Sequence, residues 1–147
     1  MRNEPLPDDL HDAAVALWHE AGLTRPWNDP VSDLALALRG PSSGVLAALD
    51  GERLVGTAML GHDGHRGWVY YLAVAEAYRR RGVARSLMAA AEEWLRERGV
   101  PALHLMVRAE NTEALGFYDR LGYGTAEVVI RAKRLDGRTM PAARPGR

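Results

Sequence analysis

WVYYLAVAEAYRRRGVA, residues 68–84, decides the fold. Its first half is aromatic and β-branched and predicts a strand over 68–75. Its second half starts a helix over 82–98, in which Val83, Leu87, Ala90, Ala91, Trp94 and Leu95 form one apolar stripe and Gly99 marks the stop. Between them lie Arg79, Arg80, Arg81 and Gly82. The first amides of a helix have no internal partner and point out of its N-terminus. Such a turn binds phosphate through backbone N–H groups and the helix dipole. Gly82 lets a ligand approach the backbone, Ala84 keeps the next turn small, and the arginines add charge and forked donors. The alternative reading of the arginine run is a solvated turn or a nucleic-acid patch.

Working outward, 45–49 is apolar, Asp50-Gly51 is a favoured two-residue hairpin turn, and 54–60 returns as a strand. The glycine-rich stretch 61–67 connects to the central strand. Upstream, Asp8 or Asp9 caps a predicted helix to Glu20, with Leu10, Ala13, Ala14, Leu17 and Trp18 on one face and Gly22 as its stop. The turn RPWNDP, 25–30, follows, and Asp29 or Ser32 caps a second helix through Leu34, Leu38 and Arg39. Downstream, the pattern predicts a short strand over 102–107, a helix over 111–121 and a closing strand over 125–132. The order of two helices, three strands, helix, strand, helix, strand implies an α+β fold. A mixed α/β sheet carries helices on both faces. Residues 1–135 form one domain, and 136–147, with Pro141, Pro145 and no apolar period, reads as a flexible tail.

The composition narrows the function. In 147 residues, 19 Lys+Arg balance 19 Asp+Glu, so no broadly basic surface exists to bind nucleic acid. With no cysteine, a disulfide scaffold, a Cys-ligated zinc module and a cysteine nucleophile are excluded. The start has no basic segment followed by an apolar one, and no apolar run spans a bilayer. The expectation is therefore a cytoplasmic protein with no membrane partner. Lys133 is the only lysine, a bias without mechanistic content. His62, Asp63 and His65 share one loop, but two histidines without a third ligand make a weak metal site, and no metal is expected.

Two motifs carry a family resemblance. Arg79-x-x-Gly82-x-Ala84 resembles the acyl-CoA pyrophosphate loop of the Gcn5-related N-acetyltransferases (GNAT family), and 70–74 resembles the family's fourth strand. Asn111-x-x-Ala114-x-x-Phe117-Tyr118-x-x-x-Gly122-Tyr123 is similar to the family's second signature. RPWNDP and DGHRG, 63–67, resemble a small bacterial subgroup. The resemblance implies a central, mostly antiparallel sheet with a splayed fourth strand. It also implies acetyl-CoA as co-substrate, a small-molecule amine or peptide acceptor, and a monomer or homodimer. The two-proline start, 1–7, leaves the family's first strand rudimentary or missing.

Carried over residue by residue, the resemblance implies that the backbones of Leu72 and Val74 hold the pantetheine arm. The pyrophosphate lies over Arg80, Arg81, Gly82, Val83 and Ala84, with Arg79 and Arg85 nearby and Asn111 also touching the cofactor. Tyr118 is the general acid toward the leaving thiolate, the amine attacks the thioester directly, and the Leu72 amide polarises the carbonyl. The carboxylates some members use as base are absent: Trp68 and Met106 stand at those positions. Among His62, Asp63, His65, His104 and Glu110, His65 is the favoured base. Trp27, Asn28 and Asp29 occupy the acceptor region, where Asp29 and Asp33 attract an ammonium group; Trp27 also reads as a packing anchor. The competing function is a non-catalytic acetyl-CoA sensor or protein-interaction module on the same fold.

Overall fold

A computed structural model describes residues 1–140, and 141–147, the greater part of the expected tail, lie outside the described residues. The elements are β1 (Arg2–Pro5), α1 (His11–Glu20), α2 (Pro30–Arg39), β2 (Ser43–Asp50), β3 (Arg53–His62), β4 (Gly67–Val74), α3 (Val83–Glu97), β5 (Leu103–His104) and α4 (Thr112–Arg120). The strands lie in chain order in one five-stranded sheet. β1 through β4 are antiparallel, and β5 joins β4 in parallel. This is the mixed sheet that the pattern predicted, with the mostly antiparallel pairing that the resemblance implied.

The sheet separates two cores. Trp18, Leu34 and Leu49 fill the side under α1 and α2, while Val55, Leu60, Leu87 and Met88 fill the side under α3. Gly56 and Gly67 let α3 lie close: a Cβ at Gly67 would stand 2.4 Å from Leu95 Cδ1, and one at Gly56 2.9 Å from Val83 Cγ1.

Four expectations change. β1 is present, pairing Arg2 with Leu49 and Pro5 with Leu46; an outermost strand tolerates its proline because one side needs no donor. The first hairpin turns one residue later than predicted: Asp50 pairs with Arg53, and Gly51 (φ +62°) with Glu52 makes the turn. Asp8 and Asp9 lie within a 3-10 turn ahead of α1, and neither side chain caps the helix. Residues 125–132 form no strand, and their backbone makes no hydrogen bond among the described residues. The β-forming composition there is real, but a strand needs a neighbour. β5 is hydrogen-bonded over only two residue pairs, and the chain passes beyond it, so that Arg134 Nη1 donates to Asn28 Oδ1 at 3.1 Å.

Candidate active site

β4 is built irregularly. It follows β3 from Gly67 to Tyr70, then slips so that Ala73 pairs with Thr57 and Val74 with Gly56. The extra residue is taken up at Tyr71, which has φ +49°, a left-handed conformation rare for a bulky side chain. Packing and hydrogen bonds hold it there. The Tyr71 ring stacks on Trp18 at 4.0 Å, and its hydroxyl donates to Asp33 Oδ2 at 2.7 Å. Trp18 Nε1 donates to the fully buried Thr57 Oγ1 at 2.8 Å, and that hydroxyl donates to the Tyr71 carbonyl at 2.9 Å. Burial, followed by the hydrogen bond to Asp33, pushes the Tyr71 phenol well above its usual range.

On its other side β4 meets β5 only at Gly67 with Leu103 and Trp68 with His104. Beyond Trp68 the two strands share no pairing, and a cleft of about 1090 Å³ opens there. Leu72, Leu105, Asn111 and Tyr118 line it, as do Trp27, Asn28, Asp33, Trp68 and Tyr70. Trp68 and Tyr70 lie nearly parallel, with ring centroids 6.4 Å apart, and His104 stands 5.3 Å from Trp68. Arg39 and Arg108, which the sequence reading passed over, also line the cleft.

Tyr118 sits on α4, edge-on to Phe117 at 5.0 Å and to Tyr123 at 5.8 Å. Burial pushes its phenol up to about 12. Asn111 caps the same helix, its Oδ1 accepting from the Ala114 amide at 3.1 Å, so one residue both starts α4 and lines the cleft.

The turn before α3 has two left-handed residues, Arg80 (φ +62°) and Gly82 (φ +81°). A Cβ built on Gly82 would meet nothing within 4 Å, so the space above it is open. No side chain caps α3 and no acid lies in its first turn, whereas α1, α2 and α4 carry Asp12, Asp33 and Glu113 there. The amides of Val83, Ala84 and Arg85 thus begin a helix that, among the described residues, has neither a capping side chain nor a first-turn acid at its positive end, which suits an anion. Arg79, Arg80 and Arg85 form no ion pair among the described residues. Arg81 turns aside, its guanidinium 4.7 Å from the centroid of the Tyr78 ring, and the Tyr78 hydroxyl donates to Asp50 at 2.7 Å. Residues 79–85 and Val74 lie outside the cleft lining, farther along the chain from Leu72.

Other predicted site residues are placed apart. Asp29 caps α2, accepting from the Val31 amide at 3.1 Å, the Ser32 amide at 3.3 Å and the Ser32 hydroxyl at 2.9 Å, and it does not line the cleft. Those bonds, the Ser32 hydroxyl first, hold its carboxyl below the usual range. His65 is exposed in the loop between β3 and β4 and also lies outside the lining, whereas His62 and Asp63 belong to it. Asp63 accepts the amides of Arg66 at 2.8 Å and His65 at 2.9 Å, which lower its pKa. Among the described residues, no three metal-ligating side chains converge.

Comparison with known proteins bears on the family and the fold. A family model described as Acetyltransferase (GNAT) family matches residues 8–123. An acetyltransferase of Pectobacterium atrosepticum is 42% identical over 128 residues, covering 86% of this chain and 90% of that protein. An uncharacterized N-acetyltransferase of Yersinia pestis is 41% identical over 128 residues, with 87% and 90% covered. Among solved structures, aminoglycoside N-acetyltransferase AAC(6′)-Iy in complex with CoA superposes with TM-score 0.78 at 18% identity, covering 91% of this chain and 94% of that one. The ribosomal-protein-S18-alanine N-acetyltransferase of Escherichia coli superposes with TM-score 0.74 at 25% identity, covering 85% and 78%.

Proposed function

The chain belongs to the acetyltransferase (GNAT) family, and from that membership we propose that it transfers an acetyl group from acetyl-CoA to a primary amine by direct attack, with Tyr118 as the acid toward the departing thiolate. The observation that carries this reading is the Tyr118 phenol, lining the same cleft as Leu72 and Asn111 and pushed up to about 12 by burial.

At neutral pH such a phenol is fully protonated and able to donate. A thiol ordinarily titrates near ~8.5, so handing the proton over completely would be uphill if the thiolate were solvated by water. The burial that raises the Tyr118 phenol would raise the basicity of a thiolate beside it as well. Tyr118 therefore acts first as a hydrogen-bond donor that stabilises charge as the carbon–sulfur bond breaks, with transfer following. The bulge at Tyr71 leaves Leu72 on the unpaired stretch of β4, where its amide is suited to polarise the thioester carbonyl. The uncapped start of α3, with Arg79, Arg80 and Arg85, suits the pyrophosphate. The amine must arrive unprotonated, and ordered water or a cleft group carries its proton away.

The test is calorimetric titration with acetyl-CoA followed by thiol release across a panel of amines, peptides and amino acids. The proposal expects binding and turnover on at least one acceptor. Binding with no turnover on any of them points to a sensor, and no binding removes the proposal.

A further inference from the structure

Three arginines and two aspartates line the cleft, and all but Arg108 answer to something within the chain. The Tyr71 hydroxyl donates to Asp33, and Asp63 accepts the amides of His65 and Arg66. Arg25 gives its Nη1 to the carbonyls of Gly22 and Thr24. Arg39, in the last turn of α2, complements the dipole of its own helix. Arg108 belongs to no helix and forms no ion pair among the described residues.

The sheet says where that charge stands. β5 runs parallel to β4, Gly67 beside Leu103 and Trp68 beside His104. Continued past the point where the strands part, this register brings Arg108 to about the level of Leu72, across the gap. Side chains alternate between the faces of extended backbone. Val69 and Leu105 pack into the core under α3, so Trp68 and Tyr70 face α1 and α2, and the same alternation puts Met106 and Arg108 with them. Leu72 and Tyr118 pack against the α3 side. A thioester held by those two lies on one face of the gap, and the amine approaches from the other, beside Arg108. Tyr70 and Met106 leave apolar surface exposed on that face, which an apolar group would cover.

We propose that the acceptor is a free α-amino acid with an apolar side chain, its carboxylate held by the Arg108 guanidinium and its side chain laid against Tyr70 and Met106. This rests on the acetyl transfer proposed above and names its substrate. Amine and carboxylate share one carbon in such a molecule, so a forked contact to the carboxylate also fixes the nitrogen. The nitrogen bonds to the thioester carbon as the carbon–sulfur bond breaks. One amine proton leaves to water, the thiolate takes the proton that Tyr118 offers, and water restores the phenol. The products are the N-acetyl amino acid and the free thiol. A polycation such as an aminoglycoside would meet two acids already bonded and an unpaired arginine.

The test measures thiol release with L-leucine and L-phenylalanine, each against its carboxamide, in the wild type, Arg108→Gln and Arg108→Lys. The wild type should favour the carboxylates, and the carboxylate-to-carboxamide ratio of kcat/KM should fall about tenfold or more in Arg108→Gln. Comparing that ratio between proteins cancels the difference in amine basicity. Arg108→Lys should recover part of it, since the charge stays and the fork goes. Turnover of other amines but not of these amino acids overturns the proposal and leaves acetyl transfer standing. So does a ratio untouched by Arg108→Gln, including the case in which that variant loses only affinity for acetyl-CoA. If no amine is acetylated, acetyl transfer falls, and calorimetric titration of the CoA complex with leucine still decides the site. Binding that Arg108→Gln abolishes upholds it; no binding, or binding equal in both proteins, overturns it.

Discussion

The Thr57 hydroxyl donates to the carbonyl oxygen of Tyr71 at 2.9 Å, a side chain of β3 bonding the backbone of β4 at the residue where β4 leaves its regular course. The Thr57 hydroxyl oxygen in turn accepts from the Trp18 indole N–H, so α1, β3 and β4 meet at one buried atom. Left-handed backbone at a tyrosine is unfavourable and persists only where its surroundings over-determine it.

Thr57→Val keeps the shape of the side chain and removes this node. It leaves the Trp18 indole N–H and the Tyr71 carbonyl without their partner, at a cost of about 2–3 kcal/mol. Urea denaturation should show the midpoint falling with an unchanged slope. Turnover should fall further than the loss of folded protein explains, because the bulge orients Leu72.

Tyr118→Phe removes the donor and keeps the ring. A kcat loss of roughly 10²-fold or more is expected, with little change in the KM for acetyl-CoA. In the wild type, burial raises the folded pKa to about 12 from an ordinary 10.0. Tyr118 therefore does not limit the alkaline side of the rate profile until pH approaches 12. Stability behaves differently: a raised folded pKa means that the contribution of this group is complete below pH 10 and is lost as pH rises from there toward 12.

Gly82→Ala puts a side chain into left-handed backbone, at about 1 kcal/mol of stability, over a site with room for it. Acetyl-CoA binding should weaken by about tenfold, since the backbone must shift under the pyrophosphate. Arg79→Gln should weaken binding without any loss of stability and should reduce its salt dependence. Calorimetry at two ionic strengths separates the two effects.

Asp29→Ala removes the cap of α2 and should lower the thermal midpoint, while Asp29→Asn, which still accepts from the helix amides, should largely restore it. Acceptor KM should track stability, not charge, in these two variants. A rise in KM with Asp29→Asn at unchanged stability would instead assign this carboxylate to the acceptor.

Gly67→Ala places a methyl group against the buried Leu95 side chain, which must shift to admit it. A loss of about 1–3 kcal/mol is expected, read by denaturation.

What could be read from the sequence alone was what is local. The α3 stripe, the stop at Gly99, the start of α4 near Asn111, the cap of α2 at Asp29 or Ser32 and the turn at Gly82 each depend on residues a few positions apart. They appeared where the spacing put them. Pairing across the chain was less legible. Two prolines suggested that the first strand was weak, yet the cost of a proline depends on whether a neighbour needs its N–H, and β1 lies outermost. At 125–132 the β signal was plain but nothing in it located a partner. The Trp18–Thr57–Tyr71 node joins residues 39 and 14 positions apart, and no spacing rule connects them. Arg39 and Arg108 were passed over because each is an ordinary surface arginine until the fold brings both to one cleft.

The departure of β4 from β5 has one more consequence. Exposed strand backbone is normally a hazard, because any passing chain can pair with it and proteins aggregate through such rims. Here the unpaired run of β4 lies within the sheet, between two of its own strands and recessed in a cleft. The main chain of that run therefore faces an interior cleft, where a bound ligand can meet it, and lies off the outer edges of the sheet where chains pair and aggregate.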